Sequence, residues 1–298
     1  TTAANPCSGK SFVASANAIL YVGATPVFTD IDPQTYNMDP ADIEHRITPR
    51  TKAILPVHIF GQPSDMDPIM ALAKKHGLTV IEDACESLLS SYKGKKAGTF
   101  GQSAVFAFYA NKQMTTGEGG MIVTDDTRVD ELCRSLRNQG RAQNMQWLDH
   151  DRLGYNYRMD EMSAALGLAQ IEDIKTLIKK RTEVAKMYGS ELASLSDKIS
   201  IPYIAPGSTH TWFVYVIELK DKDKDRDKVI LELKKLGVHC KPYLPSIHTF
   251  DFYRKMGFKE GDFPVSEAAS RSTLALPFYI GLTKADIKHI RKTLQKVL

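Results

Sequence analysis

Cysteine is scarce in this chain: four in 298 residues, at positions 7, 85, 133 and 240, with no CxxC pair. That spacing argues against a disulfide framework and fits reduced thiols in a cytoplasmic protein. Long apolar runs are missing too. None reaches the length of a membrane span, and no n-region/h-region signal opens the chain, so a cytoplasmic protein without a membrane partner is expected. The net charge of +4 is dispersed rather than gathered into a basic stripe interleaved with aromatics, which argues against nucleic acid as a partner. What remains, 43% hydrophobic and 25% charged residues, is an ordinary globular composition. The length suits a large domain and a smaller one, each with its own core.

The first half alternates short apolar runs with polar segments of helical period. "ATPVFTDI" (24–31), "AILPVHIF" (53–60), "LTVIEDA" (78–84), "SAVFAFY" (103–109) and "GMIVTD" (120–125) predict strands. "DMDPIMALAKKHG" (65–77) predicts a helix closed by cations and a left-handed glycine. Apolar strands separated by helices imply an α/β domain with a mainly parallel sheet. From Asp160 to about Leu195 the apolar spacing turns helical, as one long helix or two in succession linking the halves. A strand at 211–219, a helix at 228–237 and a terminal helix at 284–298 then predict a smaller α+β domain. The boundary is placed at residue 180, giving domains 1–180 and 181–298.

Two motif-like stretches carry little. "KDKDKDRDK" (220–228) spaces acids like a calcium loop, but Arg226 stands where the loop needs glycine and the lysines cancel the field. A solvated turn capping the next helix explains it better, and no metal site is expected. "SGKS" (8–11) lacks the first glycine of a Walker A loop, whose place is taken by Ala4.

Two other residues suggest chemistry. Asp83 ends the run "LTVIED", so its carboxylate faces the crevice at the carboxyl ends of parallel strands, where α/β proteins bind ligands. Taken alone, it reads more readily as a turn or N-cap residue. Lys112 follows "SAVFAFY" and reaches the same edge. An acid and an amine there suggest pyridoxal phosphate, with the lysine forming a Schiff base and the aspartate keeping the ring nitrogen protonated. The "TTGEGG" turn (115–120) either needs positive φ or brings backbone close to that lysine.

"SFVAS", "IEDACES", "NKQMTTGEGG", "LGYNYR", "PSIH" and "LPFYIGLT" sit in a sequence that, over residues 12–298, resembles the DegT/DnrJ/EryC1/StrS aminotransferases. These are pyridoxal-phosphate enzymes that aminate nucleotide-linked keto sugars. The resemblance implies the type I fold of such transferases. It implies Lys112 as the Schiff-base lysine, where relatives that dehydrate sugars carry His, and Asp83 as the partner of the pyridinium nitrogen. It places Glu86, where the family often has Gln or His, near the cofactor's phenolic oxygen, and Phe12 on the cofactor ring. Asn156 would reach the phosphate of a neighbouring subunit, making a homodimer with a shared site. His248 would lie in a substrate-facing segment. Glutamate is implied as amino donor.

Two departures bear on the phosphate. Relatives carry an N-terminal Ser-Gly-Thr phosphate loop before this region, and the chain starts after it; Ala107 stands where a phosphate-contacting serine is common. The alternative expectation is therefore a catalytically impaired member serving as a dimeric or regulatory scaffold.

Overall fold

The structure is a computed structural model that describes residues 3–142 and 149–298. Its first part runs β1 (Ala4–Ser8), α1 (Val13–Tyr21), β2 (Thr25–Thr29), α2 (Pro40–Arg46), β3 (Ala53–Ile54), α3 (Met66–His76) and β4 (Thr79–Asp83). A small hairpin, β5 (Ser91–Tyr92) and β6 (Lys95–Lys96), precedes β7 (Ser103–Ala107), β8 (Gly120–Val123) and α4 (Thr127–Arg137). The strands lie side by side in the order β2-β1-β3-β4-β7-β8. Pairing is parallel except at β7–β8, and the β1–β3 join is a single bridge from Cys7 to Leu55.

Local chemistry sets the element ends. Asp39 caps α2 by accepting from the Ala41 N–H, and Pro40 fits the first turn, where no N–H is needed. After Lys74, Lys75 and His76, Gly77 takes φ 63° and ends α3 as its sequence predicts. Two strand expectations are corrected. In "AILPVHIF" only Ala53–Ile54 forms a regular strand, followed by single parallel bridges from Leu55 to Cys7 and from Val57 to Asp83: Pro56 has no N–H to donate, and Phe60, at φ 62°, lies in a tight turn. In "TWFVYVIEL" the strand covers only Tyr215–Leu219, because Trp212 at φ 56° breaks the extended path. Strand β1, with its proline and polar residues, gave no apolar run to announce it.

The long helix is continuous. α5 (Glu161–Leu192) starts at Asp160, whose side chain accepts from the Ser163 N–H. Its Ile174, Leu177 and Ile178 pack with Phe108 and Met114, whereas Val184, Tyr188 and Leu192 enter a second core. The chain continues through β9 (Ile199–Ser200), β10 (Ser208–Thr209), β11 (Tyr215–Leu219), α6 (Arg226–Lys235) and β12 (Lys241–Pro242), of which β9, β11 and α6 supply residues to that core. After α7 (Asp251–Arg254) come α8 (Pro264–Ser272), β13 (Thr273–Leu276) and α9 (Lys284–Val297). The antiparallel order is β12-β13-β11-β9, while β10 pairs with β5 of the first part. Asp225 caps α6 through the Asp227 and Lys228 N–H groups, which gives the "KDKDKDRDK" stretch its role.

A simple split of the chain at one residue does not describe the packing. Ile247, Tyr253 and Phe263, far along the chain, share a core with Cys7, Ala16, Ile19 and Phe28. The second half thus returns to cover the first strands.

Candidate active site

Asp83 closes β4, between β3 and β7, at the carboxyl end of the sheet. One carboxylate oxygen accepts from the Ser15 hydroxyl at 2.6 Å and the other from the Cys85 N–H at 3.1 Å. Ser15 lies in the first turn of α1, three residues after Phe12 at its N-cap. Helical spacing therefore puts the serine that fixes the acid and the expected ring-stacking aromatic on one face. Phe12 is 63% exposed, so its ring is open to a partner rather than spent on core packing.

Lys112 lies in the loop beyond β7, its N–H bonded to Tyr109 O at 3.0 Å. Its side chain is 15% exposed, with Nζ 3.6 Å from Glu86 Oε1 and 4.3 Å from the centre of the Phe213 ring. Glu86 is buried, and its other oxygen accepts from the Phe60 N–H at 2.9 Å. Burial raises the Glu86 carboxyl above its ordinary range, while the Lys112 charge and the Phe60 amide pull the other way. Gln113 adds a bond from Nε2 to Glu86 O. The Cys85 thiol is pushed up chiefly by burial, with the Asp83 and Glu86 charges adding to the rise and Lys112 opposing it.

The glycine turn now has a physical reason. Gly117 has φ 82° and Gly119 φ 148°, and a Cβ on Gly119 would fall 2.5 Å from Thr116 Oγ1 and 2.8 Å from Met159 Cε. The turn brings Gly119 O to the Phe108 N–H at 2.8 Å and so returns the chain into β8 beside β7.

Below the acid sits a carboxylate that sequence reasoning missed. Glu82, fully buried, accepts from His58 Nε2 at 2.9 Å and from the N–H groups of Gly98, Phe100 and Gly101, each at 2.7 Å. Burial alone would raise its pKa; the His58 ring and the amides overcome that and hold it below the usual range. His58 Nδ1 accepts from the Ser64 N–H, so Nε2 carries the donated proton. The pair locks the end of β4, and with it Asp83, to the 98–101 loop. Its only trace in the sequence is the doubled acid of "IEDA", one member facing each way. Phe213, a hundred residues from Lys112, left no local trace.

Two expected residues stand apart from this cluster, and one of them, Asn156, is expected to serve a neighbouring subunit. Asn156 is exposed, on a segment bridged to Asn138, and is not among the groups touching Lys112, Asp83 or Glu86. His248 is fully buried against Phe28 and Phe263, with Nε2 2.9 Å from Glu267 Oε1. Its position corrects the substrate-facing expectation: the ring is core packing beneath β2, and no face of it is open to a ligand.

The donor set suits pyridoxal phosphate at its ring end: an amine for the aldehyde, a fixed carboxylate for the ring nitrogen, an open aromatic face. At the phosphate end it is thinner. Ala107 has no hydroxyl, and those of Thr115 and Thr116 are bonded to Phe108 O at 3.0 Å and Glu118 O at 2.6 Å.

Comparison with known proteins identifies the family. The chain is 42% identical over 290 residues to a GDP-perosamine synthase of Caulobacter vibrioides, covering 97% of this chain and 77% of that protein. It is 37% identical over 297 residues to a UDP-N-acetyl-3-dehydro-alpha-D-glucosamine 3-aminotransferase of Acidithiobacillus ferrooxidans, covering 97% and 76%. The solved aminotransferase from Psychrobacter cryohalolentis superposes with a TM-score of 0.92 at 31% identity, covering 100% of this chain and 81% of that one. Residues 8–295 match the family profile, and the chain belongs to the DegT/DnrJ/EryC1/StrS aminotransferase family.

Proposed function

We propose that this chain uses pyridoxal 5'-phosphate to convert a nucleotide-linked keto sugar into an amino sugar, with glutamate as the nitrogen donor. One observation carries the reading: a nearly buried amine, Lys112, stands 3.6 Å from Glu86, which lies three residues beyond Asp83 at the carboxyl end of β4. The named relatives act on sugars carried by GDP and UDP, which supports a nucleotide-linked substrate here.

When bound, pyridoxal phosphate supplies an aldehyde that carries nitrogen between substrates and a ring that accepts electrons from the donor's α-carbon. The residues do the rest. Asp83, held by Ser15 and the Cys85 amide, is a fixed acceptor for a protonated ring nitrogen and needs no reorganisation to fill that role. Phe12 offers its open face to the ring. Lys112 is the residue that would hold the aldehyde, and its free amine would be placed to carry a proton at the reacting carbons. For its amine to attack, a proton must leave Nζ, and Glu86 at 3.6 Å is the nearest carboxylate to take it. Asn156 serves the phosphate of a neighbouring subunit in a homodimer. The exposed Tyr155, Tyr157, Met162, Leu168 and Ile171 support that dimer, since a second copy would cover them. With amine and acid both in place, the reading as an inactive scaffold has less support.

The test is optical. Purified protein mixed with pyridoxal phosphate should develop a Schiff-base absorbance that shifts with L-glutamate and is missing in Lys112→Ala. A protein that stays colourless at saturating cofactor would refute the reading.

A further inference from the structure

Lys10 is a buried amine that the chemistry above does not use. It lies two residues past the end of β1 and two before Phe12, and water does not reach it. Its Nζ donates to Leu244 O at 2.8 Å and to Thr273 Oγ1 at 3.3 Å, which ties the end of β1 to the segment between β12 and α7. Backbone makes the same join: Lys10 bridges to Ser246, and the Ile247 N–H donates to Gly9 O at 2.9 Å.

The fold alone does not call for an amine here. Backbone bonds already hold the two segments, and an unbranched apolar side chain would fill the space without burying a charge. The residue beside Leu244 gives the amine a second use. The Tyr243 ring packs against Phe60, at 5.6 Å between ring centres, and against Phe213 at 6.4 Å. Those two residues flank the reactive pair: the Phe60 N–H donates to Glu86, and the Phe213 ring lies 4.3 Å from Lys112 Nζ. Thr273 Oγ1, the amine's other partner, is itself 2.9 Å from Tyr243 O. A short run of contacts thus leads from Lys10 to Lys112 and Glu86.

We propose that Lys10 is a positioning residue for the reaction: by holding Leu244 and Thr273 it seats the Tyr243 ring against Phe60 and Phe213, and so fixes the walls beside Lys112 and Glu86. The proposal rests on the aminotransferase reading above and adds a response of that site to pH. Arg226 from α6, which donates to Ser270 O and Thr273 O, and Glu218 from β11, which accepts from the Tyr36 hydroxyl, act on the amine with opposite signs. Tyr36, from the loop after β2, sets its ring 5.9 Å from Nζ. Burial pushes the Tyr36 and Tyr243 phenols up, away from neutral pH, and His248, further along the held segment, is paired with Glu267. Burial and the Arg226 charge bring the Lys10 amine down to about 7, so it changes charge near neutrality. A charged amine is the stronger donor, so the hold on Leu244 is firmest below pH 7 and slackens above it.

Amide hydrogen exchange over residues 243–250 of the cofactor-free chain tests the hold, and turnover on either side of pH 7 tests its use. At pH 6, Lys10→Met should exchange faster than the parent in this segment by about threefold or more, with the gap narrowing by pH 9. Removing a buried charge does not weaken the fold, so faster exchange confined to this segment is not a loss of global stability. In turnover, kcat/KM of Lys10→Met for the keto sugar should fall about threefold to tenfold at pH 6, and by less at pH 9. Tyr243→Ala should lower it at least as far, and adding Lys10→Met to that variant should cost nothing further. Thr273→Val, which keeps the amine and removes one of its acceptors, should give a smaller loss of the same kind, and it serves if Tyr243→Ala melts early. Unchanged exchange in Lys10→Met, a kcat/KM profile that overlays the parent's, or losses that add in the double variant would overturn the proposal. The exchange measurement involves no cofactor. A parent that forms no Schiff-base absorbance loses both readings; one that forms it while Lys10→Met behaves as the parent keeps the aminotransferase reading and loses this one.

Discussion

Lys10 and Lys112 are both lysines withdrawn from water, and their surroundings are opposite. Lys112 faces the Glu86 carboxylate at 3.6 Å and the Phe213 ring at 4.3 Å, and keeps 15% of its side chain exposed. Lys10 is fully buried, its amine donating to Leu244 O at 2.8 Å and Thr273 Oγ1 at 3.3 Å, with the Tyr36 ring at 5.9 Å. Those groups are neutral. Burial pulls the Lys10 amine down to about 7, with the Arg226 charge pushing the same way and Glu218 opposing. A buried amine beside a carboxylate and an open crevice can do chemistry; one sealed among neutral acceptors at the joint of the two parts is a cost to the fold.

The widest separation is expected in activity. Lys112→Ala should lower aminotransferase turnover by about a thousandfold or more, because among the described residues no other lysine stands within ion-pair distance of Glu86. Lys10→Met should leave the cofactor absorbance in place. If Lys112→Ala kept substantial turnover, the contrast between the two lysines would collapse.

The next effect is on stability, and its sign follows from the Lys10 shift. An unfolded lysine titrates near 10.5 and the folded one near 7, so between those values the unfolded chain binds the extra proton and stability rises with pH. Below pH 7 both states are charged and the cost is fully present. With 3.5 units between the two values, it amounts to at most about 5 kcal/mol. Lys10→Met removes the charge and keeps most of the volume. Urea unfolding at pH 7 and pH 9 should show the parent gaining stability with pH and the variant, more stable at pH 7, gaining less. Equal slopes would mean that Lys10 is paired or hydrated in solution.

How far such differences were legible depends on what each residue meets. Lys112, Asp83 and Phe12 stood out as candidates because each ends or follows a locally patterned segment and each sits in a family motif. The parallel order, the long α5 and the left-handed Gly77 came from periodicity and capping, which are local physics. Ser15 was within reach, one helical turn from Phe12. Phe213, the Phe60 amide and the sealed state of Lys10 were not, since they arise where distant segments meet. His248 shows the same limit from the other side: its loop resembled a substrate segment, but Glu267 and Phe263 hold the ring in the core.

Glu82 extends the comparison from buried amines to buried acids. Four donors surround it, so it sits below its usual range, whereas Lys10 is shifted toward its neutral form. Glu82→Ala leaves His58 and three amides without their acceptor and should cost about 3–5 kcal/mol by denaturant unfolding. The parent's stability should fall as pH drops through the folded value of Glu82, since the unfolded carboxyl takes up its proton first. Glu82→Ala should lose that part of the acid sensitivity. A variant as stable as the parent would show that the 98–101 loop does not depend on the acid.

The smallest effect is expected from Glu86→Gln, which gives Lys112 surroundings like those of Lys10: a buried amine with neutral acceptors. Without the carboxylate, Nζ loses the proton acceptor beside it, so the rate at which Lys112 reacts with an amine-acylating reagent should change. The Phe60 N–H still meets an oxygen, so the fold should hold. Burial already raises the Glu86 carboxyl, so the parent loses some stability as pH rises through the folded value of this group, and the glutamine variant should not. Turnover should change by less than tenfold, with the pH dependence due to this carboxyl gone from kcat. If labelling rate and pH profile both match the parent, Glu86 is a neighbour of Lys112 and not its proton partner. The difference between the two lysines would then rest on the open crevice alone.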